Sequence, residues 1–300
     1  MKHLLKLGDL SREDILSVLN LADQLKFERN NGIQKDYLKG KKLGMIFQKA
    51  STRTRVSFEA GMYELGGYAL FLSSNDLQIG RGEPVQDTAR VLSRYLDGIM
   101  IRTFAQQEVE DFAKYGSVPV INGLTDYCHP CQVLADLMTI REYKGTFKGL
   151  KMAFIGDGNN MANSLIVGAV KTGMNLTVAC PEGYEPDVKL VKWGKDSGLL
   201  SVTSDVTEAI EDADVLYTDV WASMGQEKEK KERENVFKGF QINENNIKKA
   251  KDDVMVMHCL PAHRGEEITD GVFEAHAKEI FDEAENRLHA QKAVMVKLMK

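Results

Sequence analysis

Short apolar runs alternate with longer helical patterns along almost the whole of this 300-residue chain. That alternation limits the possible folds more than any other feature. The runs at 43–47, 68–72, 98–101 and 119–121 in the first half have the length of buried strands, as do those at 152–155, 176–179, 215–217 and 254–257 in the second. Between them lie helical spacings such as 55–65, where Phe58, Met62 and Leu65 share one face and Gly66-Gly67 supplies the stop. Strands alternating with helices form parallel sheets covered by helices on both sides. A long helical pattern covers 129–143, the turn-like Lys144-Gly145-Thr146 follows, and a strand begins near Lys151. A boundary there predicts two α/β domains of similar size, 1–145 and 146–282. A final helix over 283–300 is expected to return and pack on the first.

Composition narrows the class of function. Hydrophobic residues make up 43% and charged residues 28%, as in ordinary globular proteins. Lys plus Arg number 39 against 44 Asp plus Glu, for a formal charge of -5, which argues against a nucleic-acid surface while leaving room for a local basic pocket. The beginning, MKHLLKLGDLSRED, turns polar too early for a signal-peptide core, and no apolar run approaches membrane-spanning length. A cytoplasmic location is the expectation. Four cysteines are too few for a disulfide scaffold in a chain of this size, so thiols are expected.

The suggestive motifs all fall where a strand ends and a helix begins, the place where open parallel sheets bind ligands. The stretch FQKASTRTRVSFE (47–59) follows one strand. Ser51 suits an N-cap, and the unpaired N–H groups after it, the positive helix end, two hydroxyls and Arg53 together suit a phosphate dianion. An arginine also binds such an oxyanion bidentately, as lysine cannot. No GxxxxGK[ST] is present, so a nucleoside triphosphate is not indicated. The alternative is an ordinary capped helix with solvated arginines.

DYCHPCQ (126–132) admits three readings. One is a zinc knuckle completed by His258, Cys259 or His263, and another is a redox pair without thioredoxin context. In the third, His129 and Gln132 sit one helical turn apart and donate to a carbonyl or phosphate oxygen. FIGDGNNMANS (154–164) carries Gly156 and Gly158 of a dinucleotide fingerprint but has Met161 at the third position. Asn159 and Asn160 at the helix start suit a small polar substrate instead. DVWASMG (219–225) leaves a strand with a carboxylate able to pair with an amine, and HCLPAHRGEE (258–267) leaves another with a thiol and a turn suited to a cis Leu260-Pro261 bond. Arg102 closes the strand GIMIR, and Arg287 lies in the final helix. The charge run GQEKEKKEREN (225–235) reads first as a solvated face and second as part of a moving flap.

Taken together, these motifs resemble those of the aspartate and ornithine carbamoyltransferases, with HPCQ, HCLPAHR, the Ser-Met-Gly of DVWASMG and ENRLHAQKA (285–293) in their ornithine-type forms. The likeness runs over nearly the whole chain. It implies a carbamoyl phosphate domain followed by an ornithine domain. It also implies a homotrimer, or a multiple of trimers, in which Gln78 of LQIGRGEP reaches the neighbouring subunit's site. By the same resemblance Ser51, Thr52, Arg53, Thr54, Gln78, Arg102, His129, Gln132 and Arg287 bind carbamoyl phosphate. Asn160, Asp219, Ser223 and Met224 bind L-ornithine, while Cys259 and Leu260 lie between the ligands. Arg102, His129, Asp219 and Cys259 are the expected catalytic groups. No metal or organic cofactor is expected, because carbamoyl phosphate is already activated. Rival readings are another amine acceptor, a nicotinamide-dependent dehydrogenase and a zinc-binding module.

Overall fold

The computed structural model describes all residues except Asp76, Gly80, Arg81, Met224, Gln226 and the side chain of Glu227. The chain divides into two compact units, Met1–Met138 with Glu285–Lys300, and Thr139–Ala284. Each is built on one parallel sheet, as the alternation of apolar runs and helical patterns requires.

In the first unit, strands β1 (Lys42–Phe47), β2 (Tyr68–Ser73), β3 (Gly98–Arg102) and β4 (Val120–Leu124) are ordered β2-β1-β3-β4. Helices α1 (Arg12–Asn30), α2 (Thr52–Glu64), α3 (Val85–Leu92) and α4 (Gln106–Tyr115) precede, separate or follow them. β1 and β3 are buried almost throughout, whereas the edge strand β2 is partly exposed along its length. Register matters here for function. Phe47 of β1 lies opposite both Ser73 of β2 and Arg102 of β3, so the segments leaving these strands start at one level. The chain goes from β1 outward to β2 and then back across β1 to β3, which makes the gap beyond β1 and β3 the switch point where such sheets bind ligands.

The second unit repeats that logic with β5 (Lys151–Ile155), β6 (Asn175–Ala179), β7 (Leu200–Thr203), β8 (Val215–Thr218) and β9 (Met255–His258), ordered β7-β6-β5-β8-β9. Its helices include α6 (Asn160–Thr172), α7 (Val188–Asp196), α8 (Val206–Ile210), α9 (Lys230–Val236) and α10 (Asp270–Ala275). Ile155 lies opposite Thr218, and Thr218 opposite His258, so residues 156, 219 and 259 emerge side by side. The switch point falls between β5 and β8.

Two helices carry the chain from one unit to the other: α5 (Pro130–Lys144) and α11 (Ala277–Met299). Residues 139–144 group with the second unit. From Glu285 onward α11 packs on the first unit, where Lys292 pairs with Glu64 and Lys297 bonds Ser17. The helix read at 129–143 begins at Pro130, whose missing N–H costs nothing in a first turn. The final helix begins at Ala277, ahead of the expected 283. α2 ends as its glycines suggest, with Gly66 at a positive φ of 79° beyond the last turn. β7 is the strand the apolar runs did not reveal. Its sequence, LSVT, is a short edge strand with one buried residue, too weak a pattern to stand out.

Candidate active site

One candidate site is assembled at the β1–β3 edge of the first unit. Ser51 caps α2, its hydroxyl accepting from the N–H of Thr54 at 3.3 Å. Thr54 and Arg102 are buried, Arg53 is half-buried and Thr52 is exposed. His129 immediately precedes α5 and is 5% exposed. Burial first, and then the charges of Arg287, Arg102 and Arg53, hold its imidazole well below the usual histidine range. Three guanidiniums therefore act on one neutral ring.

Arg287 arrives from α11 and is nearly fully buried. Its Nη2 donates to Thr54 Oγ1 at 3.1 Å, its Nη1 to Gln132 Oε1 at 2.6 Å and its Nε to Gln291 Oε1 at 3.0 Å. Gln291 in turn donates to Ser57 Oγ at 2.7 Å, and Ser57 donates to the carbonyl of Arg53 at 2.5 Å. Planar forks of this kind hold a cation in one orientation. Residues 233 positions apart in sequence thus share a single hydrogen-bonded network. Behind it, Gln48 and Thr103, which directly follow β1 and β3, both bond the carboxylate of Glu108. That contact ties the two strand ends together.

The two thiols beside His129 are structural. Cys131 Sγ donates to the carbonyl of Asn122 at 3.3 Å, and Cys128 packs among Asn122, Thr125 and Gln106. Burial pushes both thiols up to about 12, which disfavours the thiolate that a redox pair needs. Among the described residues neither thiol belongs to a group of three or more possible metal ligands. Gln78 is exposed, on the segment after β2.

A second candidate site is built at the β5–β8 edge of the second unit. Asp219 follows β8 and is 7% exposed. Three donors hold its carboxylate: Asn159 Nδ2 at 2.9 Å, the N–H of Val220 at 2.8 Å and Cys259 Sγ at 3.1 Å. Asn159 also caps α6, accepting from the N–H groups of Met161 and Ala162, so it serves as a brace and Asn160 opens the helix. The glycines of GDGNN have a packing role. A Cβ on Gly158 would lie 2.3 Å from the backbone nitrogen of Pro186, and Met161 at the third fingerprint position is buried. Ser223 is half-buried, and Met224 lies outside the described residues.

His258 ends β9 fully buried. Its Nδ1 accepts from the N–H of Leu260 at 2.9 Å while Nε2 faces Glu267 Oε1 at 3.0 Å, an arrangement that fixes the ring with its proton on Nε2. The Leu260–Pro261 bond is cis, as the turn suggested. Glu267 also accepts from the N–H of His263, so this one carboxylate anchors the whole HCLPAH turn that presents Cys259.

The charge run is a solvated face at its described residues, as its composition suggests, with the exception of Arg233. Arg233, on α9, is 7% exposed. It donates to Asp157 Oδ2 at 2.8 Å, to the carbonyl of Trp221 at 2.9 Å and to Glu229 at 3.0 Å, and its guanidinium lies over Tyr184 at 5.2 Å from the ring centroid. Burial raises the Asp157 carboxyl to about 6 despite this partner. Sequence reading missed Asp157 and Arg233 as a pair, because an arginine inside KKERENV looks like its solvated neighbours. The apolar Trp221 and Phe237 on either side were the available signal.

Residues 2–142 match the family model for the carbamoyl-P binding domain of aspartate/ornithine carbamoyltransferase, and residues 148–298 match its Asp/Orn binding domain. The chain belongs to the aspartate/ornithine carbamoyltransferase family. Among its relatives, ornithine carbamoyltransferase from Oceanobacillus iheyensis is 56% identical over 99% of this chain and 94% of that protein. The enzyme of that name from Anoxybacillus flavithermus is 59% identical over 99% and 96%. Among solved structures of this family, ornithine carbamoyltransferase from Pyrococcus furiosus superposes with a TM-score of 0.95 at 54% identity, covering 99% of this chain and 97% of that one. An anabolic ornithine carbamoyltransferase from Campylobacter jejuni superposes at 0.93 and 45%, covering 99% of each. Among the described residues no helix is long and apolar enough to cross a membrane.

Proposed function

We propose that this chain transfers the carbamoyl group of carbamoyl phosphate to the side-chain amine of L-ornithine, giving L-citrulline and phosphate. The observation that carries the proposal is the group of Arg53, Arg102 and Arg287 acting on the neutral His129 beside the N-terminus of α2, in a chain whose full length matches ornithine carbamoyltransferases.

The leaving phosphate gains negative charge as the carbonyl–phosphate bond breaks. Arg53, Arg102 and the N–H groups after Ser51 meet that charge, and preorganised donors of this kind are usually the largest catalytic contribution. The carbonyl oxygen becomes an oxyanion in the tetrahedral intermediate, stabilised by Thr54, Arg102 and His129. A neutral His129 donates to it without adding a fourth charge to the pocket. The amine must attack as the free base, although such an amine has a solution pKa of about 10.4. Asp219 and Cys259, already bonded to each other, orient it in a form ready to lose its proton, and Leu260 lines the same turn. Thr52, Gln132 and Arg287 complete the carbamoyl phosphate set. Asn160, Ser223 and Met224 are assigned to the amino-acid end of ornithine.

The same reading makes the enzyme a homotrimer, or a multiple of trimers, acting in the cytoplasm in arginine biosynthesis. An exposed apolar group supports the assembly. Val56 and Tyr63 on α2 and Tyr68 and Phe71 on the edge strand β2 are exposed, as is Gln78 on the segment after that strand, which would enter a neighbour's site. Light scattering on the purified chain should give three subunits or a multiple, and a monomer would remove this part of the reading. The activity itself is tested by citrulline formation from carbamoyl phosphate and ornithine. Failure with ornithine, or faster turnover with aspartate or putrescine, would overturn it.

A further inference from the structure

The turn that leaves β9 carries a group of side chains with no part in the reaction proposed above. His263, Glu266 and Glu267 each bring one ligand atom, an imidazole nitrogen or a carboxylate oxygen, within 4.8 Å of the other two. Glu267 is fully buried. Its Oε1 accepts from His258 Nε2 at 3.0 Å and from the N–H of His263 at 2.6 Å. Its Oε2, also buried, meets no hydrogen-bond donor among the described residues. A buried carboxylate oxygen in that state is costly unless a cation or water reaches it. His263 Nδ1 is a buried atom of the same kind, 3.3 Å from Glu266 Oε2 without the alignment of a hydrogen bond. Two donors each about 2.1 Å from one metal at a tetrahedral angle are about 3.4 Å apart, so this is the spacing of a chelating pair.

The backbone of the turn is set independently of any ion. Gly265, at a φ of 92°, donates to the carbonyl of Ile268 at 2.8 Å, and Glu266 donates to that of His263 at 2.9 Å. Gln241 Nε2 donates to the carbonyls of Gly265 and Glu266 at 3.0 and 2.7 Å. Glu266 Oε1 already faces one cation, Lys230 Nζ on α9 at 3.0 Å. Glu267 is fixed inside, while His263 and Glu266 are half-buried and give an ion its way in from solvent.

We propose that His263, Glu266 and Glu267 form a binding site for a divalent first-row transition ion, with water in the remaining positions. One imidazole and two carboxylates make a borderline-to-hard donor set, suited to Zn2+ or Mn2+ and, without a thiol, not to Cu+. The ion meets Glu267 Oε2 and leaves Oε1 on His258, so it fastens the turn that presents Cys259 without entering the reaction. Asp219, His258 and Cys259 form a separate group of possible ligands, and the experiment must tell the two groups apart.

Mn2+ is the probe, because it prefers carboxylate to thiolate and so avoids the Cys259 group. The full-length protein is titrated with Mn2+ while the free ion is followed by electron paramagnetic resonance. Saturable binding of one ion per chain is expected. His263→Ala should raise the Kd at least about tenfold, since even outer-shell partners of a metal are worth that much. Glu266→Gln, at a half-buried position, should do the same and covers the case in which the first variant does not fold. Lys230→Met removes a cation that competes for Glu266 and should lower the Kd severalfold. Cys259→Ala should leave it within about twofold, because a thiol adds little to Mn2+ affinity. The melting temperature of the wild-type chain should rise with added Mn2+, and that of His263→Ala should not. Absent or unsaturable binding, or a Kd unchanged in both His263→Ala and Glu266→Gln, overturns the proposal. Binding lost in Cys259→Ala gives the ion to the other group and overturns it as well.

Discussion

The two units answer the same architectural question with opposite electrostatics. At the switch point of the first sheet the fixed charges are cationic, with Arg53, Arg102 and Arg287 around a neutral imidazole. At the switch point of the second they are anionic, with Asp219 and Asp157 braced by Asn159, Cys259 and Arg233. The difference follows the ligands proposed for them. A phosphoryl group is anionic from binding to release and gains charge as it leaves, so a rigid cationic pocket can be desolvated in advance and held by helices. An amine that must arrive charged and react neutral is better met by a carboxylate and a thiol. The restraints differ too. The site of the first unit is held by a network reaching into a 23-residue helix, that of the second by a seven-residue helix inside a run of exposed charges.

Four experiments would break or sharpen this contrast. The largest effect is expected from Arg53→Gly, which should lower kcat/KM by roughly a thousandfold or more, as losses of charge-stabilising donors do. The melting temperature should change little, because Arg53 is half-buried and its contribution is to the ligand. Near-normal turnover would mean that the cradle is not where the phosphate binds.

Arg233→Ala should have its main effect on stability. Removing one partner of a buried pair costs about 3–5 kcal/mol when the other stays charged. The pH dependence has a definite sign. Asp157 has a folded-state pKa raised from 3.8 to about 6, so its protonation favours the fold at low pH and that share is lost as pH rises through about 6. The deficit of the variant in urea unfolding should therefore be larger at pH 8 than at pH 5. A deficit independent of pH would show that packing on Tyr184, and not charge, is what Arg233 provides.

Ser223→Ala comes next in size. The KM for ornithine should rise about tenfold, in line with loss of a polar contact, while that for carbamoyl phosphate stays within about twofold. Equal effects on both would contradict the assignment of the two units to two ligands. The smallest signal is a proton. His129 in the free enzyme should remain neutral through pH 6–8 by NMR, and phosphate should move its titration upward by offsetting the three arginines. A ring that titrates near 6.5 without phosphate would mean that the guanidiniums do not converge on it.

Much of this organisation was legible from residue types alone, for reasons that differ between elements. The inner strands of both sheets were visible because both faces are covered, so they read as continuous apolar runs. Ser51 and the Gly66-Gly67 stop were visible because capping chemistry is local. Motif after motif at strand ends pointed to the two ligand edges. What escaped notice depended on distant partners. β7 carries one buried residue and no strong pattern. Arg233 cannot be told from Lys230 or Lys231 until Asp157 is placed against it. Asn159 looked like a ligand group and is mainly a cap and a brace.

The attachment of Arg287 to Thr54 has a consequence for how the chain comes alive on the ribosome. The four strands of the first sheet and the loop that caps α2 are all made well before residue 287 leaves the exit tunnel. The group of arginines acting on His129 therefore lacks one of its three members until synthesis has passed the whole of the second unit. A growing chain can fold its first sheet early, yet the network that holds Thr54 and Gln132 is incomplete until the last helix has come back to it.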